Sequence, residues 1–342
     1  MAYFWQSPLW GGLRSGEWLT VARMRGYSLI LLVIGAIAVA GWIAISDDLI
    51  DRNGKPIGTD FSSFYAAGSL VLDGRAGDVY NMAAHYAREQ QIFGPATPYY
   101  GWLYPPIFLL LATPLAAMPY PVALAVWQIS SFAFYLTVIG LIVGGIGKRG
   151  MAIGQTWIPT WIAVAAGFPA VLLNLGHGQN GFLTAGLFGA ALLVLPSRQL
   201  FAGVLFGLLA YKPQFALVIP IALLAAGQWR AILAAGITVI ALVGLTSLIF
   251  GFDLWLAFAA STETSRKLLL EQGDVGFEKL QSVFAAVRMW GGGIPLAYAV
   301  QGIVSIAVVC GGARWLVVNT SAWRPAATES RKRDLICQAV LG

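Results

Sequence analysis

Few residues in this chain can do chemistry, and they gather in short stretches. The first is Gly58-Thr59-Asp60-Phe61-Ser62-Ser63-Phe64-Tyr65, one carboxylate in a run of aromatic and small residues. A carboxyl group partly withdrawn from water holds its proton more tightly, and such a group suits a general base. Asp is also a favoured helix N-cap, so a helix beginning near Ser62 would use Asp60 in that way equally well. The second stretch is Asn174-Leu175-Gly176-His177-Gly178-Gln179-Asn180-Gly181. Its glycines permit a tight turn and close backbone approach. It reads either as a plain interhelical turn or as a hydrogen-bonding wall formed by His177, Gln179 and Asn180. The third is Tyr211-Lys212-Pro213 between two apolar runs. Lys212 is either a lysine snorkelling at a helix end or an ammonium that binds a phosphate as a point charge. Tyr99, Tyr100, Trp102 and Tyr104 form a cluster that is either an interfacial aromatic belt or a surface for stacking on a ring.

The elements that must position these groups are apolar. Of 342 residues, 58% are hydrophobic and 11% charged, with a mean hydropathy of +0.74. Soluble domains carry roughly 25% charged residues, so the chain reads as a polytopic, all-α integral membrane protein. The net charge of +6 then marks cytoplasmic loops, and no nucleic-acid motif accompanies it. Two cysteines and two histidines suit neither a disulfide framework nor a zinc site. No carboxylate cluster demands a divalent ion, so no cofactor is expected. Metal dependence itself is not legible.

Along the chain, residues 1–27 carry Arg14, Arg23 and Arg25 and are expected in the cytoplasm. Residues 28–46 form the first span. Residues 47–103 form an outer loop with seven of the 15 acids. Helices are expected there at 61–72, ended by Asp73-Gly74, and 81–93, ended by Gly94-Pro95, both lying on the membrane surface. Residues 104–250 form the membrane bundle. Within it, 107–118 is short and bounded by prolines, which favours a re-entrant segment. That choice also puts Lys148 and Arg149 on the inner side. Spans follow at 122–146, 157–173 and 181–195, then a hairpin of 200–210 and 214–226 hinged at Lys212, then 231–250. Residues 251–294 form a second outer loop, 295–318 the last complete span, and 319–342 a basic cytoplasmic tail. The expectation is about eight spans plus the re-entrant segment, with Asp60, the His177 turn and Lys212 all on the outer side. Residues 334–342 follow a basic cluster and read as the opening turns of a helix that the chain does not complete.

The stretches GTDFSSFYAAGSLVLDGRAGDVY, YPPIFLLLATPLAAMP, LGHGQNGFLTAGLF and AGVLFGLLAYKPQFAL, in this order, resemble glycosyltransferase family 87. The resemblance covers about residues 57–230. It implies a GT-C-like helical bundle and an inverting transfer on the outer face of the plasma membrane. A hexose, mannose among the candidates, would pass from a polyprenyl-phosphate-linked donor to a hydroxyl of a glycolipid or glycan acceptor. Asp60 matches the catalytic aspartate of the first outer loop. Lys212 becomes a phosphate contact, and His177, Gln179 and Asn180 substrate contacts. Arg266, Lys279 and Arg288 are weaker phosphate candidates, and Phe64, Tyr65 and Tyr104 would shape the pocket. Members of the family run longer, with further helices at the C-terminal end, so an inactive truncated relative is one alternative. A transporter or lipid flippase is the other, since proline-broken apolar segments such as 200–226 also occur there.

Overall fold

A computed structural model describes residues 15–16, 18–147, 158–274 and 276–319. The expected basic clusters at Arg14, at Lys148 and Arg149, and at Arg324, Arg331, Lys332 and Arg333, and the expected unfinished helix at 334–342, lie outside the described residues. Among the described residues the structure is helical, with only isolated bridges pairing Asp47 with Ile50 and Ile50 with Pro56.

In chain order the helices are α1 (Val21–Ala44), α2 (Thr59–Leu72), α3 (Met82–Phe93), α4 (Leu109–Ala116), α5 (Tyr120–Gly147), α6 (Ile158–Gly167), α7 (Pro169–His177), α8 (Gly181–Val194), α9 (Gln199–Leu208), α10 (Phe215–Ala225), α11 (Trp229–Phe250), α12 (Asp253–Ser265), α13 (Val283–Met289) and α14 (Ile294–Asn319). By length and composition α1, α5, α11 and α14 can each cross a membrane, and α6 with α7 makes a fifth if that pair, bent by 57°, is one span. Eight is not reached on that criterion. The segments expected at 181–195, 200–210 and 214–226 fold as helices of 14, 10 and 11 residues. An 11-residue helix is about 17 Å long at roughly 1.5 Å per residue, against a core of about 30 Å.

Local punctuation explains most boundaries. Gly74 and Gly94 take positive φ at the ends expected for them, a conformation open to glycine without steric cost. Pro213 separates α9 from α10, as expected. The α6–α7 break was not expected. Phe168 is extended before Pro169, which occupies the first turn of α7, because the residue before a proline is driven out of the helical region. Residues 174–177 are therefore helical, and the turn is confined to Gly178, Gln179 and Asn180.

The chain divides into two compact units, residues 1–63, 89–100 and 118–189, and residues 64–88, 101–117 and 190–342. In the first, α1 packs on α6, where a Cβ on Gly167 would lie 2.7 Å from the Ser28 carbonyl oxygen. In the second, α9 packs on α11 through Gly203 and Gly207. A Cβ on Gly207 would lie 2.6 Å from that of Thr238, the close approach that small residues four apart allow between membrane helices. The second unit also holds an aromatic cluster. Phe64 meets Trp102, Tyr104 and Phe108 edge-on, and Phe108 stacks on Tyr211 with centroids 5.1 Å apart.

Around α2, Phe61, Ser62, Ser63, Phe64, Ala66, Ala67 and Leu70 are buried, while Tyr65, Ser69 and Leu72, spaced four and three residues apart, leave one face more open. Its small residues serve close packing, and Gly68 abuts the Ala112 carbonyl.

Candidate active site

In the first unit the site grows from the start of α2. Gly58 has φ +77°, and its carbonyl accepts the Ser62 N–H at 2.9 Å. That makes Gly58, not Asp60, the residue at the cap position. The N-cap reading of Asp60 is thus overturned, because the helix begins earlier than its apolar pattern indicates. Asp60 is half-buried in the first turn, where the partial positive charge of a helix N-terminus favours a carboxylate.

The end of α7 comes to the same place. Gly178 is left-handed at φ +64°, and its carbonyl accepts from Trp127 Nε1 at 2.9 Å. The Gln179 N–H returns to the Asn174 carbonyl, and Asn174 Nδ2 donates to the Gln179 carbonyl at 3.1 Å. This is the glycine-ended helix terminus that satisfies the last carbonyls. A Cβ on Gly178 would lie 2.7 Å from the Phe61 Cβ and 3.5 Å from the Gly58 Cα. The Thr59 hydroxyl and His177 Nδ1 are 2.6 Å apart. Tyr120 donates its hydroxyl to the Ile57 carbonyl at 2.5 Å, and its ring packs on Phe61 and Phe93. The first turn of α2 is therefore locked to the end of α7, and Asp60, His177, Gln179 and Asn180 belong to one local structure. His177 and Gln179 are exposed, whereas Asn180 is wholly buried. Neither amide atom of Asn180 has a hydrogen-bond partner, which costs about 1–3 kcal/mol for each buried group.

Tyr100 is a residue that sequence reasoning left as belt or stacking surface. The Glu89 carboxylate, wholly buried on α3, accepts the Tyr100 N–H at 2.9 Å. Burial, then the charges of Asp51, Glu89 and Asp60, push the Tyr100 phenol up to about 12. Tyr99 is pushed up to about 12 by burial and by Glu89. The only signal in the sequence was a tyrosine pair in an acidic loop. Asp51 is lowered: burial would raise it, but N–H groups of Lys55 and Asn53 and the Trp42 indole hold its carboxylate charged. Because the folded chain keeps the Tyr99 and Tyr100 protons longer than the unfolded chain does, their contribution to stability is complete below pH 10 and is lost as pH rises through about 12. An absorbance titration of phenolate should show two tyrosines ionising at about 12, with Tyr80, pushed up by deeper burial, later still. Tyr99→Phe and Tyr100→Phe should each remove one of them.

The remaining candidates lie in the second unit. Tyr104 is part of the aromatic cluster, and its carbonyl accepts from the Tyr80 hydroxyl at 2.8 Å. Tyr65 and Lys212 are half-buried, and Lys212 directly follows Tyr211, the ring stacked on Phe108. Arg266 is engaged with Glu271 and with the Tyr298 hydroxyl. Arg288 donates to the Gly292 and Glu271 carbonyls and lies over the Phe277 ring at 5.2 Å. Both arginines brace the 266–298 region from within, while Lys279 is exposed. Among the described residues no group of three or more His, Cys, Asp or Glu could hold a metal ion.

Helices long enough to span a membrane define a helical membrane protein, and in its first unit a helix-terminal carboxylate lies in one local structure with a polar turn. The sequence profile of glycosyltransferase family 87 matches residues 102–331, more than half of the chain, and the chain belongs to that family. It is accordingly a glycosyltransferase, with a sugar donor and an acceptor as its substrates. The matched stretch contains the His177 turn, Lys212, Arg266, Lys279 and Arg288, while Asp60 precedes it. No curated protein and no solved structure matches the chain.

Proposed function

We propose that the chain is an inverting hexosyltransferase that uses a polyprenyl-phosphate-linked donor and an acceptor hydroxyl, the glycolipid or glycan class, on the outer face of the plasma membrane. Asp60 takes the proton of the acceptor hydroxyl as its oxygen attacks the anomeric carbon. The bond from that carbon to the phosphate oxygen breaks, and its electron pair leaves with the lipid phosphate. A positioned base contributes about 10²–10⁴-fold. The ammonium of Lys212 stabilises the charge that grows on the phosphate. Lys279 is a second candidate for that contact; Arg266 and Arg288 are weaker ones because their donors are already engaged. His177, Gln179 and Asn180 bind substrate, and Phe64, Tyr65 and Tyr104 shape the pocket. The short helices α8, α9 and α10 complete an eight-span bundle, with residues 107–118 re-entrant.

The observation that carries this reading is the half-buried Asp60 held beside the His177 turn at a helix N-terminus, in a chain of this family. The test supplies purified full-length chain in lipid nanodiscs with labelled polyprenyl-phosphate hexoses and envelope-derived acceptors, beside nucleotide sugars. Label should reach the acceptor from the lipid donor alone, with the anomeric configuration inverted. Transfer from the nucleotide sugar, or retention of configuration, would refute the proposal.

A further inference from the structure

The Asn180 side chain is wholly buried and both its amide oxygen and its amide nitrogen are orphaned. No side-chain hydrogen bond offsets that cost. Its backbone carbonyl holds the first turn of α8, accepting from the Thr184 N–H and hydroxyl, but the side chain does not cap the helix. The buried groups beside it in the turn are otherwise satisfied through Asn174, Trp127 and Thr59. A second amide, Gln128 of α5, lies against α7 and is unpaired at one end only. Gln128 donates to the Leu175 carbonyl yet leaves its own buried Oε1 without a partner. Buried polar groups are nearly always paired, with protein or with ordered water, so the missing partner of Asn180 is either a buried water, which would make it a structural residue, or a ligand.

The chemistry of that partner can be narrowed. A carboxamide offers two N–H donors and one acceptor oxygen. A phosphate has acceptors only at its charged oxygens, so it would pair the nitrogen and leave the Asn180 oxygen orphaned. A pair of neighbouring sugar hydroxyls both donates and accepts, and so satisfies both ends of one amide. Resting on the glycosyltransferase reading above, we infer that Asn180 is a specificity-determining residue that reads two adjacent hydroxyls of a hexose, and that this turn is a sugar subsite and not a phosphate subsite. Its rejection of a sugar lacking one of those hydroxyls follows, because the amide is then left unpaired again.

Stability and binding respond to Asn180 in opposite senses. A residue kept for structure loses stability when changed, whereas one kept for a ligand gains it in the empty protein. The full chain in detergent micelles is compared with Asn180→Leu, which keeps the branching, and with Asn180→Ala and Asn180→Ser, which add no bulk. Thermal unfolding is measured alone, with methyl α-mannoside, with methyl α-glucoside, with their single-deoxy analogues, and with inorganic phosphate. At least one of the three empty variants should melt about 2–4 °C higher than the wild-type chain. Binding of the preferred hexoside should weaken about ten- to a hundredfold. One deoxy analogue should bind wild type and variant alike, and the response to phosphate should not change. If all three variants melt lower, Asn180 is structural and the inference falls. Equal hexoside binding by wild type and variants overturns it while leaving the glycosyltransferase reading intact. Loss of the phosphate response in place of the hexoside response assigns the turn to the phosphate. A wild-type chain blind to every hexoside removes the sugar subsite altogether.

Discussion

Asp60→Asn should lower transfer by about 10²–10⁴-fold while leaving the unfolding midpoint nearly unchanged. The two side chains have the same shape, so the first turn of α2 can keep its packing. The backbone cap is Gly58, whose carbonyl receives the Ser62 N–H, and it is untouched by the change. At the helix N-terminus the change loses the favourable meeting of a carboxylate with the helix dipole, about 0.3–1 kcal/mol at an exposed site and up to about 2 kcal/mol at a partly buried one. Transfer depends on the carboxylate for a different reason, since an amide cannot accept the acceptor proton at neutral pH. Asp60→Glu sharpens the result. It retains a base but moves it by a methylene, and should recover part of the rate without restoring it. Full transfer by Asp60→Asn in nanodiscs supplied with donor would remove Asp60 from the chemistry. A large fall in the midpoint would instead show that Asp60 is structural.

Gly178→Val should lower stability and transfer together, the opposite of the Asp60 pattern. At φ +64° a side chain costs about 1–2 kcal/mol. Here the added Cβ also meets the Phe61 Cβ at 2.7 Å and the Leu124 Cδ1 at 3.1 Å, and overpacking of this kind costs about 1–3 kcal/mol. The sum is a large part of a stability of about 5–15 kcal/mol. The displacement falls on the groups that hold the end of α7, the bond from Trp127 of α5 to the Gly178 carbonyl and the contact of His177 with Thr59 of α2. Gly178→Asn divides the two causes, because asparagine tolerates the left-handed region. It should lose less stability than Gly178→Val, and what it still loses measures the steric part. Unchanged melting and transfer in Gly178→Val would mean that the close approach of Gly178 to Phe61 does not hold the site together.

Both effects show where sequence stops being sufficient. Helix ends at Gly74 and Gly94, the hinge before Pro213 and the apolar character of the four long helices follow from residues within a few positions of each other. Local sterics and hydropathy decide them, so they are legible without a fold, and the motif order was enough to indicate the family. The start of α2 was misplaced because Gly58 and Thr59 carry no apolar pattern, and the bend at Phe168 was missed because a long apolar run concealed Pro169.

The site divides along the same line. Which residue types could act, Asp60, the His177 turn and Lys212, was readable from their rarity in an apolar chain. Their circumstances were not. That Thr59 meets His177, 118 positions away, that Glu89 holds Tyr100, that Arg266 and Arg288 are bound within their own loop, and that Asn180 is buried with its amide unpaired all depend on contacts between segments distant in sequence. A residue's identity determines what bonds it can make. Only the tertiary structure decides which of those bonds are already made, and therefore which groups remain for a substrate.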